Sequence, residues 1–176
     1  MSKRLPSREQ AIKLLIDNNC PPKVINHCLA VTEVALRIAR NLEAKGVRVN
    51  LKLVEAGALL HDIGRSKTHS VDHSLVGAQI AQTLNLPKSV VNIIKRHVGA
   101  GITDEEAASL GWPKDNYIPQ TLEEKVVCYA DKRVDHDKVT PIETEIQKLQ
   151  KGGYGEAAER VRKLHNEITQ LLGEKP

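Results

Sequence analysis

The sequence predicts an all-α fold. Apolar residues recur at three- and four-residue intervals through most of the chain, the spacing of one helix face. Ser, Thr, Asn or Pro stands ahead of these runs and Gly often follows them, as helix starts and stops require. No stretch alternates apolar and polar residues persuasively enough for a strand.

Ser7 caps a first helix through Ala11, Leu14, Leu15 and Ile16. Pro21-Pro22 opens a second, running to Lys45 with Gly46 as its stop; its apolar stripe includes Val24, Cys28, Val31, Val34, Ile38 and Leu42. Asn50 caps a third, and Gly64 is placed to end it as a left-handed cap. After the polar link 66–70, Ser70 or Asp72 caps a helix through Leu75, Ala78 and Leu84. Pro87 begins the next, ending at Lys95-Arg96-His97 before a Gly99/Gly101 turn. Thr103/Glu106 and Thr121/Glu124 are spaced as capping boxes, the second opening a helix that buries Val126, Val127, Ala130 and Val134. Two amphipathic helices close the chain, one over Pro141–Gln150 and one over Glu156–Leu172, separated by Gly152-Gly153. The apolar face of the last either closes the core or meets a second copy in a homodimer, and both readings stay open.

The length of 176 residues, 40% of them hydrophobic, suits one domain over 1–176. Its core spans about 20–136, with the C-terminal helices at 141–173 packed on it. The net charge of +4 fits an anionic partner. With no Phe, one Trp and three Tyr, the chain lacks the stacking platforms of a single-strand nucleic-acid binder. The three cysteines form no CxxC pair, and the opening Met1–Pro6 has no apolar run behind it, so a reducing cytoplasm is expected. No stretch is long and apolar enough to span a membrane.

The stretch Glu55–Arg65 organises the rest. Its apolar run ends abruptly in His61-Asp62. A carboxylate at the buried C-terminal end of a helix meets the negative pole of the macrodipole and a desolvation cost. Something positive must sit beside Asp62: a salt bridge from Arg65, or a divalent cation shared with His61. Other polar residues fall at apolar-face positions. His27 precedes Val31 by one turn, His97 follows Ile93 and Ile94, and Asp131 lies between Val127 and Val134. His73 falls in the first turn of its helix, where a solvated side chain is the plain expectation. Each has an ordinary explanation alone, but one metal centre compensates them together. Imidazoles and carboxylates without thiolate suit Fe, Mn, Co, Ni or Zn, with Mg within range.

The residues His27-Cys28, Leu59-Leu60-His61-Asp62-Ile63-Gly64-Arg65, His73-Ser74-Leu75-Val76-Gly77-Ala78, Arg96-His97 and Tyr129-Ala130-Asp131-Lys132-Arg133 resemble the His-Asp-Ile-Gly branch of the HD-domain phosphohydrolases. They are similar to an archaeal group of stand-alone HD proteins and, in the His73 segment, to bacterial dinucleoside tetraphosphate hydrolases. The resemblance implies an HD-domain helical bundle with the metal site between helices. It implies that His27, His61, Asp62 and Asp131 hold one ion and that, in the family's two-metal branches, His73 and His97 hold a second with Asp62 bridging, for one or two ions in all. It also implies hydrolysis of a phosphate ester or phosphoanhydride, such as a nucleotide, by a metal-acidified water. Developing charge would be met by a cation drawn from Arg65, Lys95, Arg96, Lys132 and Arg133; Arg65 and Arg133 are favoured because they follow ligand motifs directly. The alternatives are a non-catalytic metal- or nucleotide-binding module and an RNA-directed phosphodiesterase or partner in tRNA modification. Nucleic acid is the less favoured partner.

Overall fold

The computed structural model describes residues 4–174, so the start of the basic opening segment, at 1–3, lies outside it. The chain begins with α1 (Arg8–Asp17), where Ser7 and Gln10 complete a capping box. The long α2 (Pro22–Ala44) follows, and Gly46 adopts φ +80° at its end. Next come α3 (Leu51–Leu60), capped by Asn50, and a 3-10 turn over Ile63–Ser66. α4 (His73–Thr83), α5 (Lys88–Lys95) and a second 3-10 turn at Val98–Ala100 lead to the short α6 (Asp104–Ser109). α7 (Leu122–Lys132), a small hairpin of β1 (Val134–Asp135) and β2 (Lys138–Val139), α8 (Ile142–Lys151) and α9 (Gly155–Leu172) complete the fold.

Helix α2 is the spine, lying against α3 and α7. Two apolar clusters form around it. One joins the N-terminal half of α2 to α1, α3, α4 and α5 through Leu15, Cys28, Leu59, Leu60, Ile63 and Ile94. The other joins its C-terminal half to α7, α8 and α9 through Val31, Leu42, Val127, Ile146, Val161 and Ile168. The apolar face of α9 therefore closes this chain's own core. Burying each of its aliphatic side chains is worth about 1.5–3 kcal/mol.

Three local expectations are corrected. Gly64 is not in the left-handed region, and α3 runs straight into the 3-10 turn. Glycine is needed there for closeness instead: a Cβ on Gly64 would stand 1.9 Å from the His73 carbonyl oxygen and 2.6 Å from the Gly77 nitrogen. Thr121 accepts from the Glu124 amide, but the reciprocal half of that capping box is missing, because the Glu124 carboxylate binds both Arg96 and the Gln120 amide. Val134 leaves the helix for β1, in a two-residue pairing too short to show an alternating pattern.

Candidate metal centre

The cluster forms at the seam of the two cores. His27 sits in the first turns of α2, His61 and Asp62 follow the end of α3, His73 opens α4, His97 follows α5, and Asp131 lies near the end of α7. The close crossing of Gly64 and Gly77 brings the start of α4 against the turn after Asp62, which carries His73 inward. His73 is buried rather than solvated, as are His61, Asp62 and His97.

All six side chains converge. The His27 Nε2 lies 3.0 Å from Asp131 Oδ1, and the His61 Nε2 lies 3.4 Å from the same oxygen. Asp62 faces two ways. Its Oδ2 lies 3.9 Å from His27 Nε2 and 3.8 Å from His61 Nε2, while its Oδ1 lies 3.1 Å from His73 Nε2 and 3.3 Å from His97 Nε2. The centre thus has one lobe of His27, His61 and Asp131, a second of His73 and His97, and Asp62 between them. Donor sets drawn from His27, His61 and Asp131, and from His61, Asp62 and His97, each have all their atoms within 4.8 Å of one another.

The imidazole protons show what this arrangement lacks. Every one of the four rings places Nδ1 against a backbone carbonyl: His27 on His136 at 2.6 Å, and His61, His73 and His97 on Ala58, Ser70 and Ile94 at 2.7 Å each. A carbonyl only accepts, so Nδ1 carries the proton and a neutral ring turns its Nε2 lone pair inward. Those lone pairs face carboxylate oxygens and each other, with His73 Nε2 3.0 Å from His97 Nε2. The buried His61 Nε2 and Asp62 Oδ1 have no hydrogen-bond partner. Acceptors facing acceptors need added protons or a cation between them. Ligands about 2.1 Å from one ion stand roughly 3.0–3.4 Å apart, the spacing of the Asp131 Oδ1 and Asp62 Oδ1 contacts here, while Asp62 Oδ2 stands wider from His27 and His61, at 3.9 and 3.8 Å. The donor set fits a divalent ion in each lobe.

Electrostatics agree in sign. Burial opposes ionisation of Asp62, but His61 and the approach of His73 and His97 outweigh it and hold the carboxyl well below its usual range. Asp131 is partly buried and likewise held low, chiefly by Lys132. Burial alone would lower His61, but Asp62 leads the opposing effects and raises it well above its ordinary value. Burial pushes His97 down to about 4. That direction favours the protonated ring in the metal-free protein, a proton that a ligating ring cannot keep. Metal uptake is expected to release protons, and apparent affinity to weaken as pH falls. Calorimetry in buffers of different ionisation enthalpy reads this directly; uptake without proton release would refute it. The same shift makes a stripped protein gain stability from His61 below pH about 6.5, a gain lost as pH rises through the folded value.

The five candidate cations separate cleanly. Arg65 reaches the centre, with Nε 2.9 Å from Asp62 Oδ2 and Nη1 on the His69 carbonyl. The salt bridge and the cluster thus coexist. Arg133 is not brought in: its guanidinium binds the Thr140 carbonyl and the Tyr129 hydroxyl. Lys95 pairs with Asp115, and Arg96 with Glu124. Lys132 takes the inner place, with Nζ 2.5 Å from Asp131 Oδ2 and 3.1 Å from the His97 carbonyl. Sequence neighbours point apart at their Cβ atoms, but a flexible four-carbon stem can curl back, as this one does. His136 is exposed, whereas His165 is partly buried with its Nδ1 on the Tyr129 hydroxyl. The three thiols back the site without joining it. Cys20 contacts the Ile63 carbonyl, Cys128 the His97 carbonyl, and burial pushes both up to about 11. They stay protonated, which leaves the centre to nitrogen and oxygen donors.

His97→Ala is expected to lower bound metal from two ions to one per chain while leaving the helical content unchanged. Elemental analysis with circular dichroism tests this, and an unchanged ratio would reduce the centre to a single ion.

A helical fold wrapped around clustered histidines and aspartates is the hallmark of one class of proteins. The HD-domain family model matches residues 24–134, and the chain belongs to that family. An uncharacterised protein of Methanocaldococcus jannaschii is 43% identical over 93% of this chain and 98% of its own length. Proteins named tRNA (cytidine(56)-2'-O)-methyltransferase are also similar: that of Picrophilus torridus is 39% identical over 97% of this chain, and that of Thermoplasma volcanium 38% over 98%. The chain spans 49% of the length of each of these two. Among solved structures, the HD domain of the Listeria monocytogenes phosphodiesterase PgpH, in complex with cyclic-di-AMP, covers 93% of this chain and 95% of that one. Its TM-score is 0.57 at 18% identity, a likeness of fold. Among the described residues no helix is long and apolar enough to cross a membrane.

Proposed function

We propose that the chain is a metal-dependent phosphohydrolase that cleaves a phosphate ester or phosphoanhydride, with a nucleotide as the substrate class. The observation that carries this reading is the meeting of four Nδ1-anchored imidazoles and two carboxylates around unsatisfied buried acceptors. A divalent ion in such a site lowers the pKa of a coordinated water from about 16 towards 7 and draws charge from a phosphate oxygen. The protein's own part is positioning. Four backbone carbonyls fix the ring tautomers, Asp62 spans both lobes, and Lys132 turns Asp131 so that Oδ1 faces His27 and His61. Arg65 spends Nε on Asp62 and Nη1 on His69, which leaves Nη2 for a phosphate oxygen on the more open side. His27 and Asp131 are the more exposed of the six ligands, and His27, like Arg65, approaches Asp62 Oδ2.

The test is elemental analysis of the purified protein followed by a screen of nucleotides, dinucleoside polyphosphates and simple phosphate esters with added Mn, Co or Ni. Metal-dependent turnover is expected. Bound metal without turnover of any ester would make the protein a binding module instead.

A second reading is supported by the two methyltransferase relatives, in which nearly all of this chain matches about half of theirs. On that reading the chain serves tRNA, as a partner of a modifying enzyme or as an RNA phosphodiesterase. A tRNA gel shift that weakens steeply with salt would favour it.

A further inference from the structure

Three of the four histidines orient themselves. His61, His73 and His97 each place Nδ1 on the carbonyl three residues earlier, on Ala58, Ser70 and Ile94. Those carbonyls lie in the last turn of α3, just ahead of α4, and in the last turn of α5. Those of Ala58 and Ile94, at helix C-termini, lack intrahelical partners and are free to accept, while that of Ser70 takes the His73 amide as well as its ring. His27 has no such neighbour. It lies inside α2, where the preceding carbonyls are committed to the helix ladder. Its Nδ1 is instead satisfied at 2.6 Å by the carbonyl of His136, 109 residues downstream.

That carbonyl sits on the β1–β2 hairpin. Asp135 pairs with Lys138, so His136 and Asp137 form a two-residue turn. His136 adopts φ +57°, a position where such turns usually carry glycine. Its side chain is 87% exposed, with Nδ1 3.1 Å from Asp135 Oδ1, so the residue serves the cluster through its backbone. A hairpin of two-residue strands is marginal by itself. It is held at its base: Val134 is buried, Arg133 Nε binds the Thr140 carbonyl at 2.9 Å, and the Thr140 amide returns to the Arg133 carbonyl at 2.8 Å.

We propose that the 134–139 hairpin is a strap that orients His27 through the His136 carbonyl, so that the lobe of His27, His61 and Asp131 is formed only while the strap is docked. Arg133 acts as a positioning residue that pins the base of the strap. The proposal rests on the reading of the cluster as a metal centre, and its test separates the two.

Proline at 136 cannot adopt a positive φ and swings the carbonyl away; glycine adopts it freely and keeps the carbonyl. In metal-free protein, the ring ¹⁵N spectrum of His27 is expected to show the Nδ1–H tautomer in the wild type and in His136→Gly, and to lose it in His136→Pro. On titration with Co²⁺, His136→Gly should match the wild type, while His136→Pro should weaken one of two binding steps by about 10–100-fold, the usual effect of removing an outer partner of a ligand. Arg133→Met should weaken the same step, a check that does not depend on folding of the proline variant. Wild-type-like Co²⁺ binding in both His136→Pro and Arg133→Met would overturn the strap. A wild type that takes up no Co²⁺, Mn²⁺, Ni²⁺ or Zn²⁺ would overturn the metal centre, whereas the metal-free tautomer would still report on the strap.

Discussion

Asp62→Ala is expected to abolish metal binding at this centre and, with it, the proposed hydrolysis. The carboxylate faces both lobes, with Oδ1 towards His73 and His97 and Oδ2 towards His27 and His61. It also receives Arg65. Its loss leaves four lone pairs with less charge to hold an ion and frees Arg65 from the rim. Turnover should fall by on the order of 10²–10³-fold or more, the scale for removing one preorganised group at a reacting centre. Asp17→Ala, at an exposed ion pair on α1, serves as the control and should change neither property. Metal content and activity that both survive Asp62→Ala would refute the assignment of the site.

Gly64→Ala should cost about 3 kcal/mol or more, towards the upper end for overpacking. The added Cβ would meet backbone atoms of His73 and Gly77, which cannot rotate aside as a side-chain tip can. For a chain of this size the melting temperature should drop by roughly 6–12 °C. The damage should also reach the ions, because the backbone that must move carries His73. Gly46→Ala gives the comparison. Nothing lies within 4 Å of its Cβ, and only the φ of +80° is strained, so it should cost about 1–2 kcal/mol and spare metal binding. Equal effects in thermal melts of the two variants would contradict the close-crossing explanation.

Much of this architecture could be read from residue order because the signals were local. Ser7, Asn50 and Thr103 each announce a helix with a side chain that caps it. The same holds for His27, His97 and Asp131, whose anomaly is a polar group on an apolar stripe. What stayed hidden depends on distance in space. The role of Gly64 needs α4 to arrive beside it, and the half-made box at Thr121 needs Arg96 to claim Glu124. Lys132 and Arg133 are adjacent cations with nothing in their order to say which turns inward. The burial of one and the Thr140 and Tyr129 contacts of the other decide it. The hairpin was too short to leave a periodic trace, though it supplies the partner that His27 lacks within α2.

The six side chains are spread from position 27 to position 131, and only His61 and Asp62 are neighbours in the chain. No short stretch of the polypeptide carries the whole set, so an ion held there would recognise the folded molecule alone. At a free concentration 100 times its dissociation constant, it would deepen the native well by about 2.7 kcal/mol. The lifetime of this protein against proteases would then follow the cell's supply of the ion, and starvation for it would remove the catalyst as well as silence it.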